Sequence, residues 1–457
     1  MQQNKITEGH IGKQLLAFFF PIWLGTFFQQ LYNTVDAVVV GNFVGKEALA
    51  AVGGPTGVIT NLLVGFFVGL SSGATVIISQ YYGAHQTEKT SRAVHTAMAL
   101  ALSAGVVMTG LGLLTGGWIL RAMGTNDEVM PYGITYLNIY FLGMVFNLVY
   151  NVGSGILRAV GDSRRPLYFL IVCSLTNAVL DIVFVAVLHM GVGGAALATI
   201  ISEAVSAVLV IVSLQRAQAA YRLVLRKIRL HLDMLRDIVR IGLPAGLQSV
   251  LYTVSNMVIQ ASVNSFGTDI MAAWAAYGKI DGLFWMTVSS FGIAITTFVG
   301  QNFGAGKYDR CKKSVHVCIA MCMGVTVVLS GLLLLFGPYL YRMFTGDEAV
   351  VALGVHMMNF LVPFYFTYVC IEILSGAVRG AGDAFIPMLM TCVGVCLLRV
   401  LWIAFAVPAW PDIITTCLSY PITWTVTSIM FIVYYRHGGW LRRGIAKRSA
   451  QLAEHVQ

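Results

Sequence analysis

Apolar stretches follow one another along the chain with only short polar turns between them. A helix needs roughly 20 apolar residues to cross a hydrocarbon core. Stretches of that kind are predicted at 14–40, 54–80, 94–120, 132–157, 166–190 and 194–215, and again at 238–263, 270–300, 315–341, 350–378, 386–407 and 413–435. Several exceed the minimum, as helices do when they tilt or project beyond the hydrocarbon. The pattern predicts an all-α integral membrane protein of twelve transmembrane helices. It divides into an N-terminal segment 1–13, a first lobe 14–215, a linker 216–237, a second lobe 238–435 and a basic tail 436–457.

The polar positions between the spans repeat. Gln80, Gly83, Ala84, Val94 and His95 return 221 residues later as Gln301, Gly304, Ala305, Val315 and His316. Arg158, Gly161, Asp162 and Pro166, spaced R-x2-G-D-x3-P, return at the same offset as Arg379, Gly382, Asp383 and Pro387, and Asn138, Ser154 and Gly155 match Asn359, Ser375 and Gly376. Two fused copies of one bundle are a usual construction for a secondary transporter that opens to each side of a membrane in turn. Six spans per copy give both copies one orientation, so the expected pseudo-two-fold axis runs along the membrane normal.

Composition agrees with a lipid environment, since 57% of the residues are hydrophobic and only 11% charged, where a soluble domain carries about a quarter. Basic residues crowd into alternate loops, His85–Arg92, Arg158–Arg165, Arg216–Arg240, Lys307–Lys313 and Arg436–Arg448. The positive-inside rule places those loops and both termini in the cytoplasm, and the expected location is the cell membrane. The net charge of +9 is mostly this topological signal, with some attraction to anionic headgroups. Spread over separate loops, it argues against nucleic acid. Met1–Lys13 is polar and lacks the apolar core of a cleavable signal peptide. Seven of the eight cysteines fall in spans, Cys311 being the exception, and none forms C-x2-C, so buried free thiols are expected rather than a disulfide or metal framework. The longest polar insert is only linker-sized, which leaves no room for a soluble catalytic domain.

Polar groups inside the spans sharpen the reading, because each costs several kcal/mol in hydrocarbon (order of magnitude) unless paired or facing water. Gln29, Asn33 and Asp36 share one face of the first span, Asn177 and Asp181 one face of the fifth, and Thr199 and Glu203 one face of the sixth. The plainer reading of each carboxylate is a hydrogen bond between helices. The functional one is that the three faces form one cluster, whose carboxylate, amide and hydroxyl oxygens suit a small cation such as Na+. Desolvation and mutual repulsion would also favour a proton on one carboxylate, so either ion could serve. Pro21 reads equally as a kink hinge, by freeing a carbonyl in the first span, or as a helix-start residue.

The second lobe loses the acidic pair, since Asn177 and Asp181 become Leu398 and Trp402 at the 221 offset. Its own intramembrane charges are Lys279, Asp281, Glu372 and Arg399. Lys279 and Asp281 are expected to pair with neighbouring helices, and Arg399 with Glu372. Substrate-cavity candidates are Gln29, Asn33, Tyr136, Tyr140, Asn151, Glu203, Tyr252, Asn256, Met286, Glu372 and Arg399. Aromatic and thioether groups among them suit lipophilic cations, though each also serves simply as packing.

The first-span set Pro21, Gln29, Tyr32, Asn33, Asp36, the repeated Q-x2-G-A and the duplicated R-x2-G-D-x3-P resemble the multidrug and toxic compound extrusion transporters over Lys13–Tyr435. The resemblance implies two six-helix lobes around a central cleft and export of organic cations and drugs driven by sodium or proton entry, with no cofactor besides the ion. Within the family the chain is most similar to the DinF-like branch. Its first-lobe cation site corresponds to Asp36, Asn177, Asp181 and Thr199, and its kinking proline to Pro21. Carboxylates of the NorM-like branch fall here on Tyr252 and Tyr368, with Glu372 one turn from the latter. The expected protein is a monomeric cation-coupled antiporter. A lipid-linked saccharide flippase of the same superfamily is the alternative, and would line its cleft with several basic residues for pyrophosphate, where only Lys279 and Arg399 are available. A membrane enzyme or receptor lacks a nucleophile–base set and an extramembrane ligand domain.

Overall fold

The computed structural model describes residues 5–446, so residues 447–457 of the expected basic tail lie outside the described residues. The chain begins with a 3-10 turn, Lys5–Thr7, and continues as α1 (Ile11–Phe43), α2 (Lys46–Gly53), α3 (Pro55–Gly83), α4 (Thr87–Ala122), α5 (Met130–Leu142), α6 (Met144–Ala159), α7 (Arg164–Asp181) and α8 (Gly191–Gln215). After the linker come α9 (Leu232–Asn264), α10 (Thr268–Gly304), α11 (Tyr308–Arg342), α12 (Glu348–Leu361), α13 (Tyr365–Gly380), α14 (Phe385–Thr391), α15 (Leu398–Ala409) and α16 (Ile413–His437). With α2 and α3, α12 and α13, and α14 and α15 each joined as one span, ten candidates among the described residues are long and apolar enough to cross a membrane, and the pair α5–α6, bent by 51°, makes an eleventh. The twelfth, α9, is more polar because Gln248, Ser249, Thr253, Ser255 and Asn256 sit along it. All eight cysteines are free thiols, and Cys311, expected in a loop, is buried in α11.

The duplicated loop motif is turn chemistry. Gly161 and Gly382 adopt φ of 94° and 96°, a region open to glycine at little cost, and each ends a helix by donating its N–H to the carbonyl of Arg158 or Arg379 at 2.9 Å. In the first copy Asp162 then starts the next helix, its Oδ1 accepting the N–H groups of Arg164 and Arg165, both at 3.1 Å. A side-chain acceptor over otherwise orphaned N–H groups is the usual helix-start device.

The chain divides into two compact units, one holding Ala17–Gly246 and the other Ile6–Leu16 together with the chain from Leu247. Both divisions fall inside single helices, α1 and α9. In the first unit the linker is pinned to the start of α4: His95 accepts the Val224 N–H at 3.0 Å, Thr96 meets His231 Nδ1 at 3.0 Å, and Arg92 pairs with Asp233 at 2.9 Å. The start of α9 then crosses α3 backbone to backbone. A Cβ on Gly69 would lie 2.5 Å from Gly246 Cα, and one on Gly73 would lie 2.3 Å from the Ile238 carbonyl oxygen. Two G-x3-G stripes facing each other allow helices to approach closely where no hydrophobic force drives them together.

In the second unit the N-terminal segment plays the part of the linker. Arg310 donates to the carbonyls of Ile6 (3.3 Å), Glu8 (2.8 Å) and Gly9 (2.9 Å) and to Gln14 Oε1 (3.0 Å), while Lys307 donates to the Thr7 carbonyl at 3.0 Å.

Candidate functional site

Five helices of the first unit, α1, α5, α6, α7 and α8, build the surroundings of its acidic residues. The Ser174 hydroxyl on α7 donates to the Phe28 carbonyl on α1 at 3.3 Å, fixing the register of the two helices. About two turns further along each of them stand Asp36 and Asp181, within electrostatic range of each other. Both carboxylates are buried, as is Asn177 one turn before Asp181. Oδ1 of Asp36, both oxygens of Asp181 and both amide atoms of Asn177 have no hydrogen-bond partner. A π-helical turn, Ile182–Val187, follows Asp181 directly, an irregularity frequent at functional sites.

The other wall comes from α5, α6 and α8. The break at Gly143 leaves a free Phe141 carbonyl, which Thr109 on α4 satisfies at 2.7 Å. Ahead of the break, Tyr136 and Tyr140 stack with centroids 6.1 Å apart. Tyr136 stands beside Thr199 and within electrostatic range of Asp36, Asp181 and Glu203. Thr199 spends its hydrogen on the Ala195 carbonyl at 3.1 Å, so it presents lone pairs. Beyond the break, Asn147 donates to Glu203 Oε1 at 2.8 Å and its own Oδ1 accepts from Asn151 at 2.9 Å.

Two buried carboxylates in range of each other, with oxygens that no protein group meets, are a costly arrangement unless a proton or cation neutralises them. Carboxylate, amide and hydroxyl oxygens fit a proton or a small hard cation. Among the described residues no group of three or more His, Cys, Asp and Glu side chains forms a metal-holding set.

The second unit treats its charges differently. Asp281 accepts the Trp285 indole N–H at 2.5 Å and the Tyr365 hydroxyl, which in turn meets Tyr277 at 2.8 Å. Phe284 stacks on Tyr365 at 4.0 Å, and Trp424 packs against Trp285, Tyr368 and Tyr420. Tyr252 donates to Tyr368, and Tyr368 to Glu372 Oε2, at 3.2 and 3.3 Å. Arg399 bonds Asn256 (3.3 Å) and Thr423 (3.4 Å) and stacks over Tyr420 at 4.3 Å, leaving only Nε without a partner.

The structure therefore gathers Asp36, Asn177, Asp181, Thr199, Glu203, Tyr136, Tyr140 and Asn151 in one unit. Gln29 and Asn33 share the Asp36 face of α1 but are exposed, because the helices that cover Asp36 do not cover them. The expected pairing of Arg399 with Glu372 does not form. Arg399 turns instead to the amide of Asn256, Thr423 and the Tyr420 ring, and Glu372 to Tyr368. Asp281 pairs as expected with a neighbouring helix, whereas Lys279 is exposed. Met286 is buried, Tyr252 half-buried and Asn256 exposed. Pro21 lies inside α1, ten residues past its start at Ile11, so it is not a helix-start residue. Asn147 was missed. Its position one turn before Asn151 in an apolar span was the available signal.

A many-span helical bundle whose turn motifs recur in two copies has the build of a secondary-active transporter. The MatE family model matches residues 21–183 and 244–404, and the chain belongs to that family. It is similar to the probable multidrug resistance protein YpnP of Bacillus subtilis, 27% identical over 441 residues covering 96% of this chain and 98% of the relative. It is also similar to the probable multidrug resistance protein NorM of Thermotoga maritima, 24% identical over 453 residues and covering 96% and 95% of the two chains. Among solved structures it has the fold of a MOP superfamily transporter from Pyrococcus furiosus described as having a binding pocket of reverse polarity (TM-score 0.88, 23% identity, 99% of each chain). A MATE transporter in a bent conformation gives a TM-score of 0.87 at 22% identity over 100% of each chain.

Proposed function

We propose that this transporter is an antiporter of the DinF-like branch that couples entry of H+ or Na+ at Asp36, Asn177, Asp181 and Thr199 to export of lipophilic organic cations from the cell, with both termini cytoplasmic. The carrying observation is the contrast between the units. Asp36 and Asp181 have oxygens with no partner, whereas both oxygens of Asp281 are engaged. A site left unfilled by its own protein is one that an exchangeable ion can fill.

In this reading the empty site carries negative charge that attracts the coupling ion. Neutralisation removes the repulsion between α1 and α7 and lets Asp36 settle against its neighbours, while Pro21 lets α1 bend. The Asn147–Asn151 amide pair holds Glu203 as the next acceptor along the wall. A proton or a lipophilic cation leaving the Tyr136–Tyr140 face would meet it there, with the ring faces supplying cation–π attraction. Glu372 is secondary because Tyr368 already donates to it. A flippase is disfavoured by Arg399, whose guanidinium is buried and bound to Asn256, Thr423 and Tyr420, leaving Lys279 as the exposed intramembrane cation of that half.

Efflux of a fluorescent lipophilic cation from proteoliposomes, with Na+ and pH gradients imposed separately, tests the reading. The parent is expected to export under one gradient, Asp36→Asn and Asp181→Asn to lose the gradient dependence with insertion intact, and Glu372→Gln to be milder. Loss of transport in Glu372→Gln alone would move the coupling site to the second unit.

A further inference from the structure

The second unit holds an open cavity of about 610 Å³ that the transport reading does not use, lined by His10, Arg310, Lys313, His316 and Val317 with the backbone turn Gly9–Gly12. We propose that it is a binding site for the phosphate of an anionic lipid headgroup.

Charge is the first argument. The lining includes an arginine, a lysine and two histidines and no carboxylate. Lys313 is exposed and has no ion-pair partner among the described residues. His316 gives Nδ1–H to the Lys312 carbonyl at 2.8 Å, so its protonated form has Nε2–H left for an outside acceptor. Arg310 is held in place by its four bonds to the N-terminal segment, which makes it a fixed positive wall rather than a free side chain.

Depth is the second. At 1.5 Å per residue the 35 residues of α11 span about 52 Å, against a hydrocarbon core of about 30 Å, so roughly 10 Å projects at each end. Arg310 and Lys313 fall within that projection and His316 at its inner edge, on the side where the basic loops lie. Val317 and Ile11 supply the apolar side of the lining. A phosphate at the basic end with an acyl chain leaving past Ile11 and Val317 matches that change from charged to apolar lining.

Purified full-length protein carrying Lys313→Gln and His316→Gln tests the site, because neither side chain belongs to the Arg310 clamp or the acidic site. Native mass spectrometry would count retained phosphatidylglycerol and phosphatidylcholine, with and without excess inorganic phosphate. The expected result is roughly tenfold lower phosphatidylglycerol occupancy in the double variant, unchanged phosphatidylcholine, and unchanged efflux. Displacement by inorganic phosphate would identify phosphate alone as the recognised group; resistance to it would show that the whole lipid is needed. Equal phosphatidylglycerol retention by parent and variant, or equal loss of both lipids, would overturn the proposal.

Discussion

Replacing Gly73 with alanine places one methyl group where α3 and α9 touch. The new Cβ would lie 2.3 Å from the Ile238 carbonyl oxygen, 2.6 Å from the Gly242 nitrogen and 2.8 Å from its Cα. All three are backbone atoms, so no side chain can swing aside and the helices must separate by about 1 Å, at a cost of about 1–3 kcal/mol as for other overpacked sites. Separation also carries away the neighbouring contact of Gly69 with Gly246. Gly110, inside α4, is the matched control, since a Cβ there meets nothing within 4 Å. Alanine at that position should stabilise the helix by about 0.5–1 kcal/mol through reduced backbone freedom. Thermal unfolding followed with a thiol-reactive dye reads both variants in detergent, because Cys173 is buried in the same unit. A lower midpoint for Gly73→Ala and an unchanged or higher one for Gly110→Ala is expected. Equal midpoints would refute close helix approach as the reason for these glycines.

Asp162→Ala should remove the acceptor for two N–H groups at the start of α7 and cost about 1 kcal/mol, seen as faster hydrogen exchange at Arg164 and Arg165. Trp285→Phe keeps the ring but deprives the Asp281 carboxylate of a donor, at about 1.5–3 kcal/mol for a bond to a charged group; thermal unfolding checks it, and a midpoint equal to the parent's would refute the engaged state of Asp281. His231 has its pKa lowered, by desolvation first and then by Arg229 and Arg92. A folded value below the unfolded one means the neutral ring stabilises docking of the linker above the ordinary histidine range, and that this contribution is lost as pH falls through the lowered value. Protection from hydrogen exchange at residues 224–231, corrected for the intrinsic rate at each pH, should therefore fall on acidification, and His231→Gln should flatten that dependence.

Much of this was legible because membrane spans announce themselves by length. The rods and the 221-residue repeat follow from apolar runs and turn residues, and the acidic residues of the first half stood out since few charges interrupt those runs. The repeated R-x2-G-D-x3-P could be seen but not interpreted; its recurrence reflects helix ends that need a positive φ, to which the first copy adds a capping carboxylate. The bend at Gly143 and the π-helical turn after Asp181 leave no mark in hydropathy. Partner choice was the least legible. Arg399 and Glu372 are opposite charges on consecutive spans, yet Asn256, Thr423 and the Tyr420 face reach the guanidinium first. Likewise, nothing in the spacing of Gln29, Asn33 and Asp36 distinguishes the buried member from the exposed ones.

Difference infrared spectroscopy of the reconstituted protein, recorded as pH or Na+ concentration is switched, observes the carboxyl groups themselves. A carboxyl or carboxylate band that changes with the coupling ion in the parent, and is diminished in both Asp36→Asn and Asp181→Asn, is the expected result. A change that survives in both variants would contradict the assignment of ion coupling to this pair.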